Sequence, residues 1–488
     1  MKPWTGSITN VARKKSSLSM LRKENRQLRS CCKEIKASRS IWKSKYLLLK
    51  SSLAVVQNTI TNHSEWETCQ QSIKRHKYNE QLVSLCVNIY VTGGCGLRGV
   101  VNILKYLNVA LSWGLEDIPC KSSVENWVIK AGYYIYDKVD TCKYEKGYAV
   151  VMDECMVQGQ ERMLAVLGVP ANKQTDYALG LDDVDVLSLR VRPSWDSCSI
   201  AKVLEEITQK IGTKPTYIIS DGSSNLKSAI TQYESFRICD AGHEIARLLE
   251  HVYKKEPGFE NFMKACVQCK YTEVMKPTCY LNPPKQRAIA RFMNLSHTIK
   301  WAEKLLKIQH TLPEIERRAF SFIKKHKAII HELNSAFEMI NDILHVLKHQ
   351  GLSFKTVEKC LQKCQNYIFN APYLLSKLIV KIKEYLHTEN EKLFNKDTVW
   401  HTSSDILESM FGMFKNRKAS NPLHGVTPFA LYLPLLTKTN TGKPGINCNL
   451  KEALEGVLIS DLKSWNKKYL IENQVVKRCK IFNNKKLI

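Results

Sequence analysis

The chain has 488 residues, 44% of them hydrophobic and 24% charged, with a formal net charge of +27. That composition excludes a broadly disordered chain, and the lack of any run near about eighteen apolar residues argues against a membrane-spanning helix. The length suits two to four domains, and the positive excess calls for a polyanionic partner, usually nucleic acid.

The charge is unevenly spread. Residues 1–80 carry 17 Lys and Arg against 5 Asp and Glu, and residues 409–488 carry 14 against 4. Basic arms around a near-neutral body suit the gripping of DNA, and a merely sticky basic protein is the plainer alternative. Seventeen cysteines are scattered along the chain, and the first twenty residues lack an apolar core. Reduced thiols and an intracellular, DNA-associated location are therefore expected, with no membrane contact. Cys266, Cys269 and Cys279 look like half a zinc site, but the remaining ligands are missing at a standard spacing.

Residues 1–79 read as a basic coiled-coil arm. Leu21, Leu28, Ile35, Trp42, Leu49 and Val56 recur every seven residues within the Pro- and Gly-free stretch 18–62. The companion series runs through Asn25, Cys32, Arg39, Tyr46, Leu53 and Ile60. This seam predicts a dimerisation helix, hence a homodimer or higher oligomer; a long helix packed on its own protein is the alternative. Residues 80–140 predict three short helices with Gly-bearing connections. They suit a helix-turn-helix-like DNA-binding domain whose last helix would enter the major groove, or a plain helical linker.

From Gly147 the pattern changes to strands. "YAVVMDECMV", "RMLAVLGVPAN" and "ALGLDDVDVLSLRVRPS" each hold one, then helix and strand alternate through "PTYIISDG" and "FRICDAGHEIARLL". Three consecutive strands followed by alternation is a ribonuclease H-like order, unlike the strict βαβ repeat of a doubly wound sheet. Residues 147–243 are thus the first part of an α/β core with a mixed sheet. Residues 244–396 form a large all-α insertion, 397–435 return the final core helix, and 436–488 are a basic C-terminal tail.

Three carboxylates stand out. Asp153 interrupts an apolar strand, where a buried charge is costly unless paired or bound to metal. Asp221 ends the fourth strand at Ser220-Asp221-Gly222, a sequence that is also ordinary turn chemistry. Glu408 lies on a helix that Ser403 or Ser404 can cap, with Asp405 as its rival one turn earlier. Neighbouring first and fourth strands would let Asp153 and Asp221 face one pocket. Adjacent Glu154 would point to the opposite side. Three oxygen donors suit Mg²⁺ or Mn²⁺, and two such ions about 3.5–4 Å apart serve in-line phosphoryl displacement. Lys415, Arg417 and Lys418 continue the Glu408 helix and could bind DNA phosphates, with a solvated basic face as the alternative.

Over about residues 147–435 the sequence resembles the DDE transposases, enzymes of ribonuclease H-like fold that cut and join DNA. Asp153 in "VMDEC", Asp221 in "IISDG" and Glu408 in "SSDILESMFGMFK" fall on that family's three metal-binding carboxylates. "CDAGHEIARLL" is similar to the D-x2-H signature of the Mutator and hAT groups, here Asp240 and His243. The resemblance implies binding of transposon ends and target DNA, with metal-dependent cleavage and strand transfer. His243 would contact the scissile phosphate or order Asp221, unless Asp240 and His243 simply begin a helix. A decayed or domesticated DNA-binding transposase and a structure-specific nuclease of the same fold are the alternatives.

Overall fold

The computed structural model describes residues 72–158, 161–285, 295–369, 371–418, 421–439, 445–472 and 474–484, with Arg39, Lys43 and Phe292 besides. The heptad segment 18–62, and the oligomer it implied, lie outside the described residues except at Arg39 and Lys43. The chain divides into two units, residues 1–72 with 105–116 and residues 73–104 with 117–488. Of the smaller unit, a turn is described in which the Asn108 amide donates to Leu115 O at 3.0 Å and Leu115 N donates back at 2.9 Å.

The larger unit is built on one five-stranded mixed sheet in the order β3-β2-β1-β4-β5. Its strands are β1 (Tyr148–Gln158), β2 (Glu161–Pro170), β3 (Asp185–Arg192), β4 (Tyr217–Ser220) and β5 (Arg237–Cys239). The first three form an antiparallel meander, and β4 and β5 then add parallel to β1. The succession of elements along the chain and the pairing of β1 with β4 are those expected from the sequence. Parallel addition requires crossovers, which α4 (Ser197–Ile211) and α5 (Ser224–Gln232) supply. Asp196 starts α4 by accepting from Ser199 N at 2.8 Å. Gly212 ends it with φ 92°, a conformation that favours glycine.

Strand alternation gives the sheet two different faces. Tyr148, Val150 and Met152 point to one side and are buried with Leu164, Val166, Ile218, and Ile200, Leu204 and Leu226 of the two crossover helices. Trp195 joins this cluster and donates Nε1 to Arg162 O at 3.0 Å, so it is a core residue. Ala149, Val151 and Asp153 point to the other side, where a later helix crosses β1.

After β5, helices α6 (Ala241–Tyr253), α7 (Pro257–Glu273), α8 (Leu295–Ile308), α9 (Glu314–Ala319), α10 (Phe322–Lys325), α11 (Lys327–Gln350), α12 (Phe354–Ile368) and α13 (Tyr373–Asn390) follow. Helix α11 shows why this segment is helical. Its buried residues Ile330, Leu333, Phe337, Ile340, Ile343 and Leu347 fall three or four apart, and the stripe packs on α6, α8 and α12. Cys266 and Cys269 are buried on α7, and burial pushes both thiols up. Among the described residues no cluster of three or more Cys, His, Asp or Glu could hold a metal ion, so the half zinc site finds no completion there. The chain then returns to the sheet. Leu352 and Trp400 exchange backbone hydrogen bonds, and the Trp400 ring stacks on Tyr217 of β4 at 4.4 Å.

One expectation is corrected at the other edge of the sheet. Helices α1 (Glu80–Val91), α2 (Leu97–Ala110) and α3 (Lys121–Asp137) form as predicted. Helix α3 buries Val124, Trp127, Val128, Ile129, Ala131, Gly132, Ile135 and Tyr136 along one side, while Ser122, Asn126 and Asp137 on the other are exposed. Its cover is the segment expected to be a basic tail. Residues 436–488 contain α16 (Leu450–Gly456), α17 (Ile459–Tyr469) and α18 (Gln474–Asn484), and α16 packs on α3 together with α15 (Tyr432–Leu436). Leu450, Ala453, Leu454, Leu462 and Trp465 are buried. Charge dominated the composition of that stretch, but its few apolar residues sit at helical spacing and suffice to dock it. At Gly132 the approach is so close that a Cβ would lie 1.8 Å from Leu431 O.

Candidate active site

Asp153 and Asp221 come together because their strands are neighbours in register. Met152 pairs with Ser220, and Ala149 and Val151 with Tyr217 and Ile219. One step on, Asp153 and Asp221 emerge side by side on the face away from α4 and α5. Asp153 is half-buried, and its Oδ1 accepts from Glu154 N at 2.7 Å. Burial and the facing Asp221 raise its carboxyl to about 7, with Glu408 adding to the rise and His243 opposing it. Glu154 points the other way and pairs with Arg162 at 2.7 Å, as alternation requires.

Asp221 sits in the turn its sequence announces. Its Oδ1 accepts from Ser223 N at 2.9 Å. The backbone there is pinned by Arg237 of β5, which donates Nε to Ser220 Oγ at 3.0 Å and Nη2 to Asp221 O at 2.6 Å. Turn chemistry therefore describes the main chain and leaves the second carboxylate oxygen of Asp221 for another partner.

Glu408 is carried by α14 (Asp405–Arg417), the helix that packs on β1. Its Oε1 lies 3.4 Å from His243 Nε2. The rival Asp405 instead faces Lys348 of α11 in an ion pair. His243 therefore stands beside Glu408 and within electrostatic reach of Asp153. A hydrogen bond to Asp240, together with Glu408 and Asp153, lifts its imidazole to about 9 against the opposing effect of burial. It is a cation at neutral pH.

The residue that organises this corner is Asp240. It is buried, and it caps α6 by accepting from His243 N at 2.7 Å while its Oδ1 also meets His243 Nδ1 at 2.9 Å. Its Oδ2 accepts from Ser404 N at 2.6 Å and Ser404 Oγ at 2.9 Å. Burial alone would raise this carboxyl, but the bonds from His243 and Ser404 hold it below its usual range. One carboxylate thus joins the start of α6 to the start of α14. Ser404 precedes α14 yet gives its hydroxyl to Asp240, while Ser403 Oγ accepts from Asp405 N at 3.2 Å.

The basic residues of α14 behave differently from one another. Lys415 is exposed and reaches the Cys155 thiol, two residues beyond Asp153 on the same strand face. Arg417 is not a free phosphate ligand. It donates to Tyr90 O and, at 3.4 Å, to Val91 O, and its guanidinium lies 4.7 Å from the Tyr90 ring centre and 5.1 Å from that of Tyr432. It fastens α14 to α1 and α15, which corrects the DNA-contact expectation at that position. Lys418, half-buried, follows as the C-terminal cap residue of α14.

Residue chemistry at Asp153 and Asp221 fits a hard divalent cation: two adjacent carboxylates, the first raised by burial and by the second, with no ion pair to a Lys or Arg among the described residues. The third donor does not join them, since Glu408 is turned to His243 and no three donors gather among the described residues. Asp240 and Arg237 carry no sequence signal of their role beyond the D-x2-H spacing. Asp240 works through Ser404, 164 positions away in the chain.

No protein-family description matches the chain, and no curated protein does. Among solved structures it is similar to a Drosophila P element transposase strand transfer complex, with 12% identity, a TM-score of 0.39, and coverage of 74% of this chain and 92% of that one. At that level neither fold nor activity passes from one chain to the other. No described helix is long and apolar enough to cross a membrane.

Proposed function

We propose that this chain is a DNA transposase of the DDE type, which cleaves DNA strands and joins a 3′-hydroxyl to a target strand. The observation that carries the reading is the delivery of Asp153 and Asp221 side by side from two parallel strands, with Glu408 on a separate helix that packs on β1 and turned to His243. Asp153 and Asp221, with Glu408 as third oxygen donor, would hold Mg²⁺ or Mn²⁺, two ions in the DDE scheme. A bound divalent ion supplies polarisation of the phosphodiester and a more acidic attacking water or hydroxyl.

The chain's own residues define the rest. The imidazolium of His243 offers a positive charge beside the carboxylates, suited to a phosphate oxygen entering between them. Asp240 fixes the direction of that imidazolium and the start of the Glu408 helix. Lys415, exposed on the same helix, suits the backbone of bound DNA. A DNA-binding protein of the same descent without cleavage is the second reading, favoured by the His243–Glu408 contact that keeps the third donor from the pair.

The deciding experiment is cleavage of a plasmid carrying the gene and its native flanks, in Mg²⁺ or Mn²⁺, by wild type and Asp221→Asn. Border breaks that disappear in the variant support the transposase. Border binding without any cleavage by the wild type supports the second reading, and cleavage undiminished in the variant rejects the assignment of Asp221.

A further inference from the structure

A second cationic site lies in a cavity of about 490 Å³ that shares no lining residue with the carboxylates. Its walls come from residues 75–78, one side of α3, and the start of α17. Arg75, His76, Lys77 and Lys130 line it, beside Tyr78 and Trp127, and no carboxylate is among the described residues that do. Lys77 is paired with Asp117. Arg75 and Lys130 instead donate to neutral backbone carbonyls, to Glu455 O at 3.0 Å and Leu454 O at 3.4 Å.

The cations crowd one another. Burial and Arg75 lower the Lys130 ammonium, with Asp461 partly opposing them. Burial, Lys130 and Arg75 likewise lower His76, against the pull of Leu454 O and Glu455. Arg75 is also held at φ 67°, a left-handed conformation uncommon for a side chain of its size. The fold therefore tolerates both strain and like-charge repulsion to keep this group at the cavity. An anion would relieve the repulsion. The remaining wall is apolar and aromatic: Tyr78 and Trp127 meet edge to face at 5.5 Å, and Leu458 and Ile459 stand exposed at the rim.

We propose that this cavity binds the phosphate of a nucleotide, with Arg75 and Lys130 on the phosphoryl oxygens and the aromatic wall against the sugar or base. The volume is in the range of small-ligand sites. The same chemistry is offered by a free nucleotide and by a nucleotide within a DNA strand. The site stands whether or not the carboxylates cleave DNA.

The test uses the full chain without divalent metal, titrated by calorimetry with dATP and with inorganic pyrophosphate, and by anisotropy with a labelled 20-base-pair duplex at several salt concentrations. The variants are Arg75→Gly, which suits the left-handed backbone, and Lys130→Met, which keeps the stem of the side chain. If a free nucleotide is the ligand, dATP binds more tightly than pyrophosphate and each variant weakens it about tenfold. If a strand is the ligand, dATP does not bind. Duplex affinity then falls several-fold in each variant, and the salt slope drops by about one. Binding of all three probes within twofold of wild type in both variants overturns the site. These titrations are run without divalent metal and read binding alone, so a failure of the cleavage reading is separable from a failure here.

Discussion

On one face of the sheet Tyr148, Val150 and Met152 are sealed under α4 and α5 in one hydrophobic cluster. On the other face of the same strand, Ala149 and Val151 lead to Asp153, which meets Asp221, His243 and Glu408. The first face gains stability from each side chain it buries. The second gives some of it up, holding a carboxylate at about 7 beside another. Sites that sacrifice stability in this way are where function is to be sought.

The sharpest way to break that contrast is Asp153→Asn. Cleavage is expected to fall by about a thousandfold or more, as for loss of a group the chemistry requires. In the metal-free protein the same change removes repulsion with Asp221, so its melting temperature is expected to rise, by roughly 1 kcal/mol in stability. A melting temperature that falls would show that Asp153 is a structural residue. On the sealed face the effects reverse. Ile218→Ala is expected to cost about 3 kcal/mol in denaturant unfolding, with cleavage per folded molecule unchanged.

Asp185, at the far edge of the sheet, offers a control for buried charge. It accepts from Tyr144 Oη at 2.9 Å and Lys438 Nζ at 3.2 Å and pairs with Lys143. Burial would raise its carboxyl, but Lys143, Lys438 and Tyr144 hold it below its ordinary value of 3.8. A lowered acid contributes stability above its unfolded pKa and loses it as pH falls through the folded one. Asp185→Asn is therefore expected to cost about 3 kcal/mol at neutral pH, and the gap to wild type should close below pH 3.8. A gap that persists in acid would assign the loss to packing. The smallest effect is expected at Lys415→Ala, with stability unchanged and the salt slope of DNA binding reduced by about one. A steeper slope would remove Lys415 from the DNA path.

Much of the sheet was legible because strand period and β-branched runs are local signals. The order of three strands and then alternation placed Asp153 and Asp221 correctly on one face, and alternation alone sent Glu154 to the other. What the sequence hid was long-range. Arg417 looked like a phosphate ligand because nothing nearby reveals that Tyr90 and Tyr432 stack on it. The segment after residue 436 looked like a tail because its charge masked a short apolar stripe whose partner, α3, lies over 300 residues earlier. Asp240 and Ser404 sit in ordinary helix-start sequences, and only the fold shows that one carboxylate serves both.

That shared carboxylate also closes a circuit in the chain. Ala241 N donates to Thr402 O at 2.9 Å, next to the Asp240–Ser404 bonds, so the start and the end of the helical segment are fastened to each other. Loop-closure entropy grows slowly, by about 0.6 kcal/mol per doubling of length. The sheet is therefore nearly indifferent to how much chain is strung between those two residues. The junction ties both ends of the helical segment to the carboxylate corner, and closing it costs little more for a long segment than for a short one.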